Sequence, residues 1–304
     1  MNILEKEQLV RAVAGLSAEM LPEDSGAEAV LRRLEDVRAV IFDVYGTLFI
    51  SGSGDVGVAK ECSDASAMAE SLADAGFHGR LAEAGERGVE LMPEVISEHH
   101  GVVRLETDTD SPEVDIIRVW GNVCERLIGE ELLDEPPALQ SLIPALAVRY
   151  ECRVNPVWPM PGAESVLNTL RNRFRLGIVS NAQFYTPLLF EALLERNVES
   201  MGFEPALCMW SYELGRSKPD LAMFKPLLSA LAAEGIKPYE AVYVGNDMLN
   251  DVYTAHESGL RTVLFAGDRR SLRMRRKDER CRGLDPDAVV TELYQLPEIL
   301  GGLS

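Results

Sequence analysis

The stretch Ala39-Val40-Ile41-Phe42-Asp43-Val44-Tyr45-Gly46-Thr47-Leu48 constrains the fold more than any other part of the chain. An unbroken apolar run, with no polar alternation, suits a strand buried on both faces, as in a parallel sheet. The run ends on one carboxylate, and a tight glycine turn at Gly46 follows at once. Asp43 therefore belongs at the C-terminal tip of a buried strand over 37–43. In open α/β sheets that edge is where ligands bind. A carboxylate there, ringed by backbone N–H groups, can act as a nucleophile that accepts a phosphoryl group.

Beyond residue 162 the pattern alternates between helix and strand. Helices are predicted over 163–173, 187–196, 221–233 and 251–258, with strands over 175–180, 206–210, 241–245 and 262–265. A weak last strand over 288–291 precedes a terminal helix. Such alternation predicts a doubly wound parallel α/β sheet of the Rossmann-like kind. The block 58–153 interrupts it. There helical periods dominate (59–75, 81–98, 114–127, 138–150) and strand signals are absent. Glu83, Glu86, Glu90, Glu94 and Glu98 give that block an acidic, solvated face. The glycines of 50–57 read as a hinge, and the proline-rich 155–161 reads as the return link. Residues 1–36 read as two short helices, one with a face of Leu4, Gln8, Leu9 and Val13, the other with Ala29, Val30, Leu34 and Val37. The expected organisation is thus an N-terminal helical extension (1–36), a core domain (37–55 and 155–304) and an inserted α-helical cap domain (56–154).

A chain of 304 residues is long enough for two such cores. Its formal net charge of -19 argues against a nucleic-acid or membrane-surface partner. No apolar run approaches a membrane span, and 1–13 is charged and amphipathic rather than secretory. Cys62, Cys124, Cys152, Cys208 and Cys281 form no Cys-x-x-Cys pair, so reduced thiols in a cytoplasmic protein are expected.

Four polar clusters stand near the C-terminal ends of predicted strands or on the loops after them: Asp43 to Thr47, Ser180-Asn181, Lys218-Pro219, and Gly245-Asn246-Asp247 through Asn250-Asp251. The fold gathers all four at one edge of the sheet. In this order the clusters resemble those of the haloacid dehalogenase-like hydrolase superfamily, over about residues 37–300, with the helical block in the place of that family's cap. The resemblance implies a hydrolase in which Asp43 is the nucleophile. It implies a Mg²⁺ ion held by Asp43, the Tyr45 carbonyl and Asp247, with Asp251 as a ligand or behind one and Asn246 as the alternative to Asp247. Lys218 would offset the charge of Asp43 and of the substrate. Gly46, Thr47, Ser180 and Asn181 would bind phosphoryl oxygens. The implied partner is a small-molecule phosphoester, for a monomer or homodimer.

Two departures pull in opposite directions. Phosphatases of the family carry a second aspartate two residues after the nucleophile, as general acid and base. Here that residue is Tyr45, a poor base at neutral pH. Its absence would forgo a contribution of about 10²–10⁴-fold, unless the cap supplies another base. Tyr45-Gly46-Thr47-Leu48 instead resembles the haloacid dehalogenases, which displace halide through the same aspartate without metal. The Asp247 and Asp251 cluster resembles the metal-binding form. Three readings therefore stand at this level: a Mg²⁺-dependent phosphohydrolase, a metal-independent dehalogenase-type hydrolase, and a slow or non-catalytic binding module. Arg80 and Arg104 are the candidates for a carboxylate-holding cap arginine. Lys60 gives little support for a Schiff-base lysine, and His99 and His100 read as a solvated pair. The basic run from Arg269 to Arg282 reads as a loop paired with acidic surface, with an anionic substrate or acidic partner as the alternative.

Overall fold

The computed structural model describes residues 3–53 and 64–301. The strands form in chain order: β1 (Ala39–Phe42), β2 (Phe49–Ser51), β3 (Val157–Pro159), β4 (Arg175–Ser180), β5 (Phe203–Trp210), β6 (Ala241–Gly245), β7 (Arg261–Phe265) and β8 (Ala288–Val290). Six of them make one parallel sheet in the order β5-β4-β1-β6-β7-β8. All four residues of β1 are fully buried, which explains their lack of polar alternation. From β1 the strand order runs outward both ways, through β4 on one side and β6 on the other. The C-terminal ends of these three adjacent strands therefore flank the point where strand order reverses, the usual place for a ligand crevice.

Among the helices are α1 (Ile3–Leu16), α2 (Ala65–Ala75), α3 (Leu81–Thr107), α4 (Ile116–Gly129), α5 (Leu139–Val154), α6 (Ala163–Leu170) and α7 (Thr186–Leu194). The helical block expected after β1 is present as α2 to α5, packed on one another. Asp64 caps α2 by accepting from the backbone N–H groups of Ser66 and Ala67, and Asp115 caps α4 through Ile117. Trp120 and Tyr150 meet edge to face inside the block, with ring centroids 5.2 Å apart. The glutamates at 83, 86, 90, 94 and 98 lie on α3, and Glu94 and Glu98 face Arg126 of α4.

Three expectations are corrected. The second N-terminal helix does not form: 17–38 runs without helix, and the Val30 and Val289 backbones exchange hydrogen bonds of 2.8 and 3.0 Å. Leu34 N–H likewise donates to Ile299 O at 2.7 Å. Covering an exposed sheet edge outweighs a weak helical pattern broken by Pro22 and Gly26. The two links are not both loose connections, because Phe49–Ser51 pairs antiparallel with Val157–Pro159 to make a small ribbon. The hinge residues Gly54 and Gly57, with Lys60 and Cys62, lie outside the described residues. Finally, the helix expected over 251–258 opens with a π-helical turn, Met248–Tyr253.

Candidate active site

Asp43 follows β1 directly, and its backbone N–H continues the sheet ladder by donating to Val244 O at 2.9 Å. The ladder fixes where the carboxylate points. Asp43 Oδ1 accepts from Ser180 Oγ at 3.0 Å and from Lys218 Nζ at 2.7 Å. Among the described residues Asp43 Oδ2 takes no hydrogen bond, so one oxygen is held and the other is open.

The buried Lys218 ammonium spends its three protons on three acceptors: Asp43 Oδ1, Asp251 Oδ1 at 2.6 Å and Tyr243 OH at 2.8 Å. Burial opposes its charge, but Asp251 and Asp43 outweigh that and hold its pKa above the ordinary lysine value. Burial pushes the Asp251 carboxyl up, with Lys218 pulling the other way. Burial and the nearby carboxylates also push the Tyr243 hydroxyl well up, and it donates to Val179 O at 2.6 Å. Tyr243 was not singled out from the sequence, where it reads as one more core residue of a strand. Asn181 positions the lysine: its Oδ1 accepts from Lys218 N–H at 2.7 Å and its Nδ2 donates to Lys218 O at 3.2 Å. The side chain of Asn181 thus brackets the Lys218 backbone from both sides.

Gly46 turns the loop at φ +78°, where a Cβ would lie 2.5 Å from Ser271 Cβ and 2.7 Å from Asn246 Nδ2. Thr47 Oγ1 donates to Asn246 Oδ1 at 3.1 Å, and Asn246 Nδ2 donates to Ser271 O at 2.6 Å. Thr47 and Asn246 thus tie the loops after β1, β6 and β7 together, and Thr47 does not offer its proton to a phosphoryl oxygen. The Tyr45 hydroxyl lies 3.0 Å from Thr186 Oγ1, and burial, with Glu151 nearby, raises its pKa well above the ordinary value. It is therefore no base at neutral pH, in keeping with the expectation that Tyr45 is a poor one. Its carbonyl accepts no hydrogen bond among the described residues.

Asp247 turns the other way. Its Oδ1 caps the following turn by accepting from Leu249 N–H at 2.8 Å and Asn250 N–H at 3.2 Å. Both oxygens also take the Arg275 guanidinium, with Nε at 3.0 Å from each and Nη2 at 2.5 Å from Oδ2. Asp251 Oδ2 accepts from Asp247 N–H at 2.9 Å. Among the described residues, no group of three or more His, Cys, Asp or Glu side chains is arranged to hold a metal ion. Two oxygens still suit a hard cation, Asp43 Oδ2 and the Tyr45 carbonyl, because neither has a protein donor. Asp247 could join them only by giving up Arg275.

The helical block is fastened beside Lys218. Ser217 N–H donates to Ser111 O at 2.8 Å, Arg216 Nη2 to Thr107 O at 3.0 Å, and Thr109 Oγ1 to Asp220 Oδ2 at 2.6 Å. Glu113 reaches into the core, accepting from Gln183 Nε2 at 3.0 Å and Ser211 Oγ at 2.7 Å. Burial pushes its carboxyl up to about 7. Nothing local in the sequence marks Glu113. Arg80 is committed to Glu83 and the Glu131 carbonyl, while Arg104 is exposed in the last turn of α3. His99 Nε2 lies 3.1 Å from Asn122 Nδ2. The basic run largely pairs with acidic neighbours, as in Arg269 with Glu23 and Arg280 with Asp278.

The family profile described as haloacid dehalogenase-like hydrolase matches residues 37–259. Glyceraldehyde 3-phosphate phosphatase of Methanothermobacter thermautotrophicus is 26% identical over 265 residues, covering 87% of this chain and 100% of that protein. Glyceraldehyde 3-phosphate phosphatase of Pyrococcus furiosus is 32% identical over 144 residues, covering 46% of this chain and 54% of that protein. Among solved structures, a 2-haloacid dehalogenase from Pseudomonas syringae superposes with a TM-score of 0.53 at 21% identity, covering 86% of this chain and 97% of that one. No helix among the described residues is long and apolar enough to cross a membrane.

Proposed function

We infer the reaction from one premise: this chain belongs to the haloacid dehalogenase-like hydrolases. Within that family we read it as a phosphohydrolase acting on a small phosphorylated metabolite. The observation that carries the reading is the split environment of Asp43, with Oδ1 held by Lys218 and Ser180 and Oδ2 open at the sheet edge. Oδ2 attacks phosphorus, the ester P–O bond breaks, and the alcohol leaves with a proton from water. Water then attacks the aspartyl-phosphate, releasing phosphate and returning the carboxylate. Lys218, 2.7 Å from Asp43 Oδ1, offsets the charge of Asp43 and of the approaching dianion. Ser180 orients the carboxylate, and Asn181 orients Lys218. A Mg²⁺ ion, held by the Tyr45 carbonyl and Asp247 beside Asp43, would supply further charge neutralisation. Two curated phosphatase relatives support this choice of reaction.

The test is phosphate release from a panel of small phosphoesters, glyceraldehyde 3-phosphate included, with Mg²⁺ and with EDTA, for wild type and Asp43→Asn. Release that needs both Mg²⁺ and Asp43 supports the reading; equal release by both proteins refutes it. The position of Tyr45 favours a second reading, metal-independent displacement of halide by Asp43, because no ionisable base stands two residues after the nucleophile. Chloride release from 2-haloacids in EDTA would select it.

A further inference from the structure

Arg275 lies in the basic loop that the sequence reads as pairing with acidic surface, yet it is built into the site. The strap around it runs alongside the loop after β6: Met248 N–H donates to Arg273 O at 2.9 Å and Arg273 N–H to Asn246 O at 3.0 Å. Asp247 and Arg273 form an isolated parallel bridge. Two residues on, Arg275 adopts φ +46°, an uncommon region for a residue with a side chain. From there its guanidinium forks onto both oxygens of Asp247. Asp247 is buried, and Arg275 is partly buried over it. Asp247 Oδ1 already accepts two backbone N–H groups. Its carboxylate therefore has no lone pair in reserve for a cation at the 2.0–2.1 Å that Mg²⁺ demands. Lys218 and Arg275 together also leave the carboxylates of Asp43, Asp247 and Asp251 with one net negative charge, a weak attraction for a divalent ion.

We propose that Arg275 is a resident counter-ion of Asp247 that a divalent cation must displace, so that the strap of residues 273–275 sets the metal affinity of the site. The inference rests on the metal-assisted reading above. With Arg275 engaged, Asp247 is closed to metal; with Arg275 withdrawn, Asp247 joins the Tyr45 carbonyl beside Asp43. A ligand that draws Arg275 to itself would open the site, and an anionic substrate has the chemistry to do so.

Binding of Mg²⁺ and of Mn²⁺ is measured by isothermal titration on the full chain, without substrate, for wild type, Arg275→Gln, Arg275→Lys and Arg276→Gln. The exposed Arg276 carries the same charge without touching Asp247, so it controls for general electrostatics. Arg275→Gln should bind metal at least tenfold more tightly than wild type. Arg275→Lys should fall between them, having kept the charge but lost the fork, and Arg276→Gln should stay within about twofold of wild type. Circular dichroism melts of each variant identify any that fails to fold, and Arg275→Lys then carries the test. Equal tightening by Arg275→Gln and Arg276→Gln, or weaker binding by Arg275→Gln, overturns the counter-ion role and leaves the metal reading standing. Absence of binding in every variant overturns both.

Discussion

Replacing Lys218 with methionine is the most informative single change. The substitution keeps the length of the side chain and removes its charge. It leaves Asp43 Oδ1 and Asp251 Oδ1, at 2.7 and 2.6 Å from the lost nitrogen, facing each other without a cation, and Tyr243 OH without its 2.8 Å donor. Breaking a buried pair by removing one partner costs about 3–5 kcal/mol, because the remaining charge is left uncompensated. Against a total stability of roughly 5–15 kcal/mol that is a large fraction. The loss depends on pH with a definite sign. Asp251 is already raised to about 6 by burial, and without the opposing pull of Lys218 its folded pKa rises further above its unfolded value. A carboxylate raised in the fold is neutral and harmless below its unfolded pKa, and it costs stability as pH climbs from there through the folded pKa. The deficit is therefore largest at pH 8 and shrinks on acidification. Urea midpoints of wild type and Lys218→Met at pH 8 and pH 5 measure both effects. Turnover should also fall by about 10²–10³-fold, as for loss of one preorganised electrostatic group. A variant as stable as wild type at pH 8, or a deficit that grows on acidification, would refute the reasoning.

Other perturbations follow from the same geometry. Gly46→Ala should lose about 1–3 kcal/mol by urea denaturation, since it forces a Cβ into a φ of +78° and onto Ser271; an unchanged midpoint would show that the loop relaxes freely. Asp43→Asn should keep the wild-type melting profile within a few degrees yet release no phosphate, which separates a chemical role from a structural one. Glu113 is raised to about 7 by burial, so wild type should lose stability as pH rises from about 4 to 7. Glu113→Gln removes that titration, and its Nε2 can donate to Ser211 Oγ, whose own proton turns to Ala182 O. The variant should therefore gain in melting temperature relative to wild type between pH 5 and pH 8, and a gap that closes over that interval would contradict the assignment.

The parts of the molecule legible in the sequence are those whose signal is local. The apolar run 39–42 could only be a strand buried on both faces, and its terminal carboxylate marked the site. The strands Arg175–Ser180 and Ala241–Gly245 were bounded by the same logic. What escaped depends on contacts between distant residues. The pattern at Ala29, Val30 and Leu34 suits a helix in isolation, but pairing with Val289 and Ile299 decides otherwise. The hinge glycines and the return prolines gave no sign that Ile50 and Trp158 would pair. Arg275 stood out only as one of many arginines, and nothing nearby foretells its partner at Asp247. Tyr243 obeyed the rule for a buried strand residue so well that its hydroxyl contact with Lys218 was hidden.

The central claim is that Asp43 is the nucleophile of a phosphoryl transfer. It is tested most directly by acid-quenching the protein within its first turnover of a phosphoester and mapping modified residues by mass spectrometry. The account predicts a phosphorylated peptide containing Asp43 in wild type, absent from Asp43→Asn. Turnover with Asp43 unmodified at every quench time, or phosphate recovered on another residue, would contradict it.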